Sequence, residues 1–167
     1  MYLLYTLIYL AIISIAVFSL GRFFPRKWIN ENAFPFICFS RERGGALYEK
    51  IKIRKWKTKW PDASMILHRF FPKRYPKKRL DGEPIIKLPV LIKESCIAEL
   101  THFLCCILGF SCVFIWKHIG GFILFILYLF VNIPPIIIQR YNRPRYKKLL
   151  LLEDKKLAQK ANTHKCR

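Results

Sequence analysis

Glu99 and His102 lie in a stretch, Lys93 to Trp116, that is otherwise apolar enough to cross a membrane. A spacing of three sets both on one face of a helix. A carboxylate beside an imidazole holds its tautomer and raises its basicity, as a general base requires. Ionisable groups at such a depth are costly, so they face a protein interior or a wet cavity and mark a functional pathway. Asn132 lies in a later apolar run, just ahead of Pro134-Pro135. The prolines lack N–H groups, which leaves the carbonyls of Phe130 and Val131 without helical partners and invites a kink. At a rise of 1.5 Å per residue, Glu99, His102 and Asn132 all fall roughly 5 to 10 Å inside one membrane boundary. Gln139, Arg140, Asn142, Arg143 and Arg145 follow at the mouth of that site. Such a site can take a lipid from the bilayer and an anionic, water-soluble donor from the cytosol, since a planar guanidinium suits phosphate or carboxylate.

The elements that must position these groups follow from charge and hydropathy. Hydrophobic residues make up 53% of the 167 residues, yet the formal charge is +20. The two are segregated along the chain, as in a small integral membrane protein with cationic cytosolic parts. Charge alone would suit a nucleic-acid binder, but three long apolar runs argue against one. Six cysteines, Cys38, Cys96, Cys105, Cys106, Cys112 and Cys166, show no C-x-x-C pair or secreted-scaffold spacing. They read as small apolar residues. Glu99, His102 and Cys105 or Cys106 loosely share a face, but a fourth metal ligand has no source, so no metal site is assigned.

Tyr2 to Leu20 reads as the first transmembrane helix. It lacks the basic n-region of a cleaved signal peptide, and positive charge only on its C-terminal side predicts an outside N-terminus. Residues 21–95 carry nineteen Lys and Arg against seven Asp and Glu, a formal charge of +12, and read as a basic cytosolic segment. Within it, Trp28, Phe34, Pro35, Phe36 and Phe39 suggest a stretch at headgroup level. After Gly44-Gly45, a short basic amphipathic helix is expected to run to Pro61, and Lys55 and Lys57 on it suit an anionic surface or substrate. Arg69 to Pro89 holds four prolines and the turn pair Asp81-Gly82, and reads as an extended connection.

Cys96 to Trp116 and Gly120 to Ile138 form the second and third spans, a helical hairpin with its turn outside. The tail, 139–167, has a formal charge of +8, and Tyr146 to Ala161 reads as an amphipathic helix on the membrane. The expectation is therefore an all-α integral membrane protein forming a single membrane domain over 1–167. It is a multi-pass protein of the cell membrane, N-terminus out and C-terminus in. Three spans make a thin enclosure, so homo-oligomers or a lipid-open groove are expected.

Three motifs occur in order: L-Y-E-K-I-K-I-R-K-W-K at Leu47 to Lys57, E-S-C-I-A-E-L-T-H at Glu94 to His102, and N-I-P-P-I-I-I-Q-R-Y-N-R-P-R at Asn132 to Arg145. On these the chain resembles the glycosyl-4,4'-diaponeurosporenoate acyltransferase family of carotenoid pigment biosynthesis. Phe103 stands where the family tends to have tryptophan, and Ser95 where it tends to have threonine. The resemblance implies transfer of a fatty acyl group to a sugar hydroxyl of a glycosylated carotenoid or related glycolipid. It implies no cofactor beyond an acyl thioester, such as acyl-CoA, as co-substrate.

Residue roles in such a transfer rest on chemistry: a base takes the hydroxyl proton, and donors stabilise the carbonyl oxyanion. His102 is the expected base, oriented by Glu99, with Asn132 or Asn142 at the oxyanion. Arg140, Arg143 and Arg145, with Lys55 and Lys57, are expected to bind the donor's phosphates. Cys96 is a candidate nucleophile, though a thiol needs an activating partner that the sequence does not assure. The alternative is a non-catalytic membrane scaffold that recruits an enzyme or anionic lipid through its cationic face.

Overall fold

A computed structural model describes residues 1–60 and 84–165. Among them every regular element is a helix: α1 (Tyr2–Phe23), α2 (Ala46–Lys50), α3 (Ile53–Trp56), α4 (Pro84–Gly109), α5 (Cys112–Ile115) and α6 (Ile119–Lys165), with short 3-10 turns at Arg26–Trp28 and Ser40–Gly45. Three helical stretches, Tyr2–Phe23, Ile86–Ile115 and Ile119–Lys160, are long and apolar enough to cross a membrane. The 22 residues of α1 rise about 33 Å, enough for a hydrocarbon layer.

Two boundaries differ from the sequence expectation. The helix that carries the second span begins at Pro84, ahead of Cys96, because neither proline near its start is prohibitive. Pro84 occupies the first helical position, where no N–H partner exists anyway, and Pro89 removes one bond in the second turn. The third span and the expected surface helix are one continuous helix of 47 residues, running through Pro134, Pro135 and Pro144. A helix that continues keeps nearly all its backbone bonded, whereas one that stops in an apolar layer exposes a whole turn of carbonyls. The basic helix expected from Gly45 to Pro61 is divided into α2 and α3, because Lys52 takes a left-handed conformation at φ 53°. Gly44 and Gly45 supply the positive φ that leads into α2. Most of the connection expected at 69–89, including Asp81-Gly82, lies outside the described residues.

The chain divides into two compact units, Met1–Ile37 with Lys93–Arg140, and Cys38–Ile92 with Tyr141–Arg167. In the first, α1 presents Thr6, Leu10, Ile13 and Val17, a stripe at helical spacing, and Leu10, Ile13 and Val17 pack with Cys105, Cys112, Phe125 and Tyr128. The remaining face of α1 exposes Leu3, Leu4, Leu7, Ile8, Ile12 and Ile15, as a lipid-facing helix does. Hydroxyls are satisfied locally: Thr6 donates to the Tyr2 carbonyl and Thr101 to the Ile97 carbonyl. Ser14 Oγ and the Tyr128 hydroxyl share a 2.9 Å hydrogen bond between helices. A second cluster, Ile29, Phe36 and Cys96, packs the loop after α1 against α4. Trp28 and Phe34 remain exposed on that loop.

Close helix approach depends on absent side chains at two glycines. A Cβ on Gly109 would lie 2.5 Å from the Tyr128 ring, and one on Gly21 2.5 Å from Thr101 Oγ1. Gly109→Val is therefore expected to destabilise the purified protein by about 1–3 kcal/mol. Tyr128→Leu in the same chain should recover part of that loss by vacating the space. Thermal unfolding in one detergent checks both; equal stability of Gly109→Val and wild type would show that the helices do not meet there.

Candidate functional site

The first unit buries a polar centre between α4 and α6. Glu99 and Asn132 are 6% and 5% exposed, respectively. The carboxylate expected to hold His102 is instead paired with Arg140, Nη1 to Oε1 at 2.9 Å. Arg140 also donates to the carbonyl of Pro35, at 3.4 Å from Nη1 and 3.3 Å from Nη2, and to that of Ile37 at 3.2 Å. The guanidinium therefore ties α6 to α4 and to the loop after α1. These are the donors that a phosphate would have needed, so Arg140 acts within the fold rather than as the expected donor-binding group.

His102 is oriented by Asn132. Its Nδ1 lies 3.0 Å from Asn132 Oδ1, while Asn132 Nδ2 donates to the Tyr128 carbonyl at 3.0 Å. A carbonyl can only accept, so the amide nitrogen must face Tyr128 and the amide oxygen must face the imidazole. Nδ1 therefore carries the proton and Nε2 keeps its lone pair. That is the tautomer a general base needs. Asn132, expected at the oxyanion, takes the positioning role expected of Glu99. The spacing of three put Glu99 and His102 on one helix face but could not show which partner each would find on α6. Cys96, the candidate nucleophile, is fully buried against Ile29 and Phe36.

The other sequence candidates fall in the second unit, which holds a cationic cluster around the buried Tyr141. Arg145 stacks on its ring at 3.5 Å, Lys57 Nζ lies 4.9 Å from the ring centroid, and Arg54 Nε donates to its hydroxyl at 3.2 Å. Glu49 accepts from Arg54 at 2.8 Å and Arg145 at 2.6 Å, and Lys57 donates to Asn142 Oδ1 at 3.3 Å. Arg54, Tyr141 and Glu49 were not among the sequence candidates. All three stand inside the quoted motifs, Glu49 and Arg54 in the first and Tyr141 in the third, but nothing in their spacing shows that the two motifs meet. Lys55 is exposed and takes no part, and Arg143 is buried. The Arg54 and Arg145 guanidiniums hold the Glu49 carboxyl below its ordinary 4.5. Burial, then repulsion from Arg145 and Arg54, lowers the Lys57 ammonium below its ordinary 10.5.

Comparison with known proteins bears on what these units do. A family described as glycosyl-4,4'-diaponeurosporenoate acyltransferase matches residues 25–151. A protein of that name from Staphylococcus haemolyticus (strain JCSC1435) is 34% identical over 132 residues, 75% of this chain and 72% of the relative. One from Staphylococcus aureus (strain MRSA252) is 30% identical over 143 residues, 85% and 84% of the two chains. No solved structure matches the chain.

Breaking the buried pair should cost more than removing it. Glu99→Gln is expected to destabilise by about 3–5 kcal/mol by leaving Arg140 uncompensated, and Glu99→Leu with Arg140→Met to recover most of that loss. Thermal unfolding of the three proteins checks this, and a double variant as weak as the single would refute the pairing. A second expectation concerns acid. A carboxyl with a lowered folded pKa contributes stability that is present above its unfolded value and lost as pH falls through the folded one. Glu49→Gln should therefore flatten the stability curve below pH 4.5 and leave its slope above that pH unchanged, as read by unfolding at graded pH.

Proposed function

The chain belongs to the glycosyl-4,4'-diaponeurosporenoate acyltransferase family, and on that footing we propose that it esterifies a sugar hydroxyl of a glycosylated carotenoid, or of a related glycolipid, with a fatty acyl group. The single observation that carries a mechanism is the Asn132-fixed imidazole, with its proton on Nδ1 and its lone pair on Nε2. In the reaction His102 Nε2 takes the proton of the acceptor hydroxyl as its oxygen attacks the thioester carbonyl. The tetrahedral oxyanion collapses to the ester, the carbon–sulfur bond breaks, and the imidazolium returns its proton to the departing thiolate. His102 is the catalytic residue, and Asn132 is a positioning residue. Glu99 and Arg140 hold α4 and α6 in the register that lets those two meet.

The donor is an acyl thioester, acyl-CoA being the natural candidate, and it brings the anionic end that a +20 chain favours. Charge asymmetry about the three spans supports an outside N-terminus and a cytosolic C-terminus in the cell membrane, which puts the basic segments on the side where thioesters are made. Burial of Cys96 argues against a thiol-bound acyl intermediate, since a nucleophile must be reached by the donor.

Cells supplied with a carotenoid glucoside and expressing the intact chain should gain an acyl-sized mass on a glycosylated lipid. His102→Ala should lower turnover about 10²–10⁴-fold at equal expression. Asn132→Ala should lower it less and Cys96→Ser scarcely at all. Mass spectrometry of total glycolipids reads all four. A gain that survives His102→Ala would keep the enzyme and discard the base. No gain from the intact chain would favour the scaffold.

A further inference from the structure

We propose that the cluster of Arg54, Lys57 and Arg145 around Tyr141 is a binding site for a phosphate group, carried by a membrane lipid or by a water-soluble phosphorylated ligand. Among the described residues, Arg54, Lys57 and Arg145 gather at the buried Tyr141, and Glu49 pairs with the two arginines. Like charges held this close repel, which an anion among them relieves; Arg54 is largely exposed, and Arg145 carries the buried part of the charge.

Arg145 makes the site specific. Its Nη2 is engaged by Glu49 and its guanidinium plane stacks on Tyr141, but Nη1 is buried and, among the described residues, meets no acceptor. A buried guanidinium nitrogen left unbonded costs more than a neutral group, so an acceptor oxygen is the missing partner. Phosphate fits the rest of the set. It offers several oxygens to a fork donor fixed by stacking and to a point charge, Lys57, beside it. The left-handed Lys52 is the local device that turns α3 and brings Arg54 and Lys57 to the ring, a strained residue held where a site is built. Glu49 sets the geometry by holding both arginines from one oxygen, Oε1. Where the phosphate belongs to the acyl donor, the inference rests on the acyl-transfer reading; binding measured without turnover keeps the two separable.

The full chain in neutral detergent is tested with two probes. One is radiolabelled adenosine 3',5'-bisphosphate in equilibrium dialysis, and the other a fluorescent phosphatidylglycerol in the same micelles, read by anisotropy. Lys57→Met and Arg145→Met should each weaken one probe about tenfold to a hundredfold. Arg145→Lys should fall between, and Lys55→Met, an exposed cation two residues from Lys57, should change affinity less than about twofold. Dependence confined to the bisphosphate assigns a soluble ligand, and dependence confined to the lipid assigns a headgroup; either supports the site. Equal loss from Lys55→Met, or no binding of either probe, overturns it. A wild-type readout guards against misfolded variants. Calorimetric titration of the wild-type chain with adenosine 3',5'-bisphosphate should give saturable heats that weaken with added salt when the soluble ligand is the one bound, and binding of either probe that does not weaken with salt overturns the site.

Discussion

The first unit depends on one buried ion pair. Glu99 and Arg140, with side chains 8% and 14% exposed, respectively, join α4 to α6, and the same guanidinium holds the carbonyls of Pro35 and Ile37. A carboxylate alone at this depth would be neutralised or would exclude its helix from the membrane. Paired, it fixes the lateral and axial register of two helices that otherwise meet through apolar surface with little positional preference. Asn132 lies eight residues before Arg140 and His102 three after Glu99, so the ion pair also sets the helix–helix spacing over which a 3.0 Å amide–imidazole contact forms.

Lysine could not replace Arg140 in this role. An ammonium is a compact point charge, whereas the guanidinium addresses a carboxylate and two backbone carbonyls from a rigid plane. Those carbonyls belong to a loop with no regular structure of its own, which the guanidinium ties to α6 from half-buried Pro35 to exposed Ile37. One side chain thus satisfies loop acceptors and compensates a buried charge. That economy suits a chain in which, among the described residues, three helices are long and apolar enough to span a membrane.

Much of the fold was legible because membranes impose few solutions. Length and apolarity located three spans, but the buried face of the first, Thr6, Leu10, Ile13 and Val17, was not legible in a run that is apolar on nearly every side. The helix passes Pro134 and Pro135 inside the expected third span; what the sequence did not show is that it runs on past Pro144, and that the helix bearing the second span already starts at Pro84, since a lone proline removes only one backbone bond. For the site, the residue types were legible and the pairings were not. Glu99, His102, Asn132 and Arg140 were all singled out, but same-helix spacing favoured Glu99 with His102, and the cross-helix partners won. Proximity along a helix gives opportunity, while burial rewards the stronger charge-assisted bond.

The arginines of Q-R-Y-N-R-P-R show how the remaining ambiguity resolves. In sequence, Arg140, Arg143 and Arg145 are equivalent cations at a membrane mouth. In the structure their donors are allocated differently. Arg140 commits both terminal nitrogens to a carboxylate and to backbone carbonyls. Arg145 commits one to Glu49, lays its plane on Tyr141 and leaves the other buried with no acceptor among the described residues. A cation whose donors are met by the protein organises the protein. One held rigidly, with a donor still unmet, is prepared for a ligand, because the cost of ordering it has already been met in the fold and need not be met on binding. Accounting for donors, rather than counting charges, therefore separates the structural arginine from the ligand-facing one within six residues of the same helix.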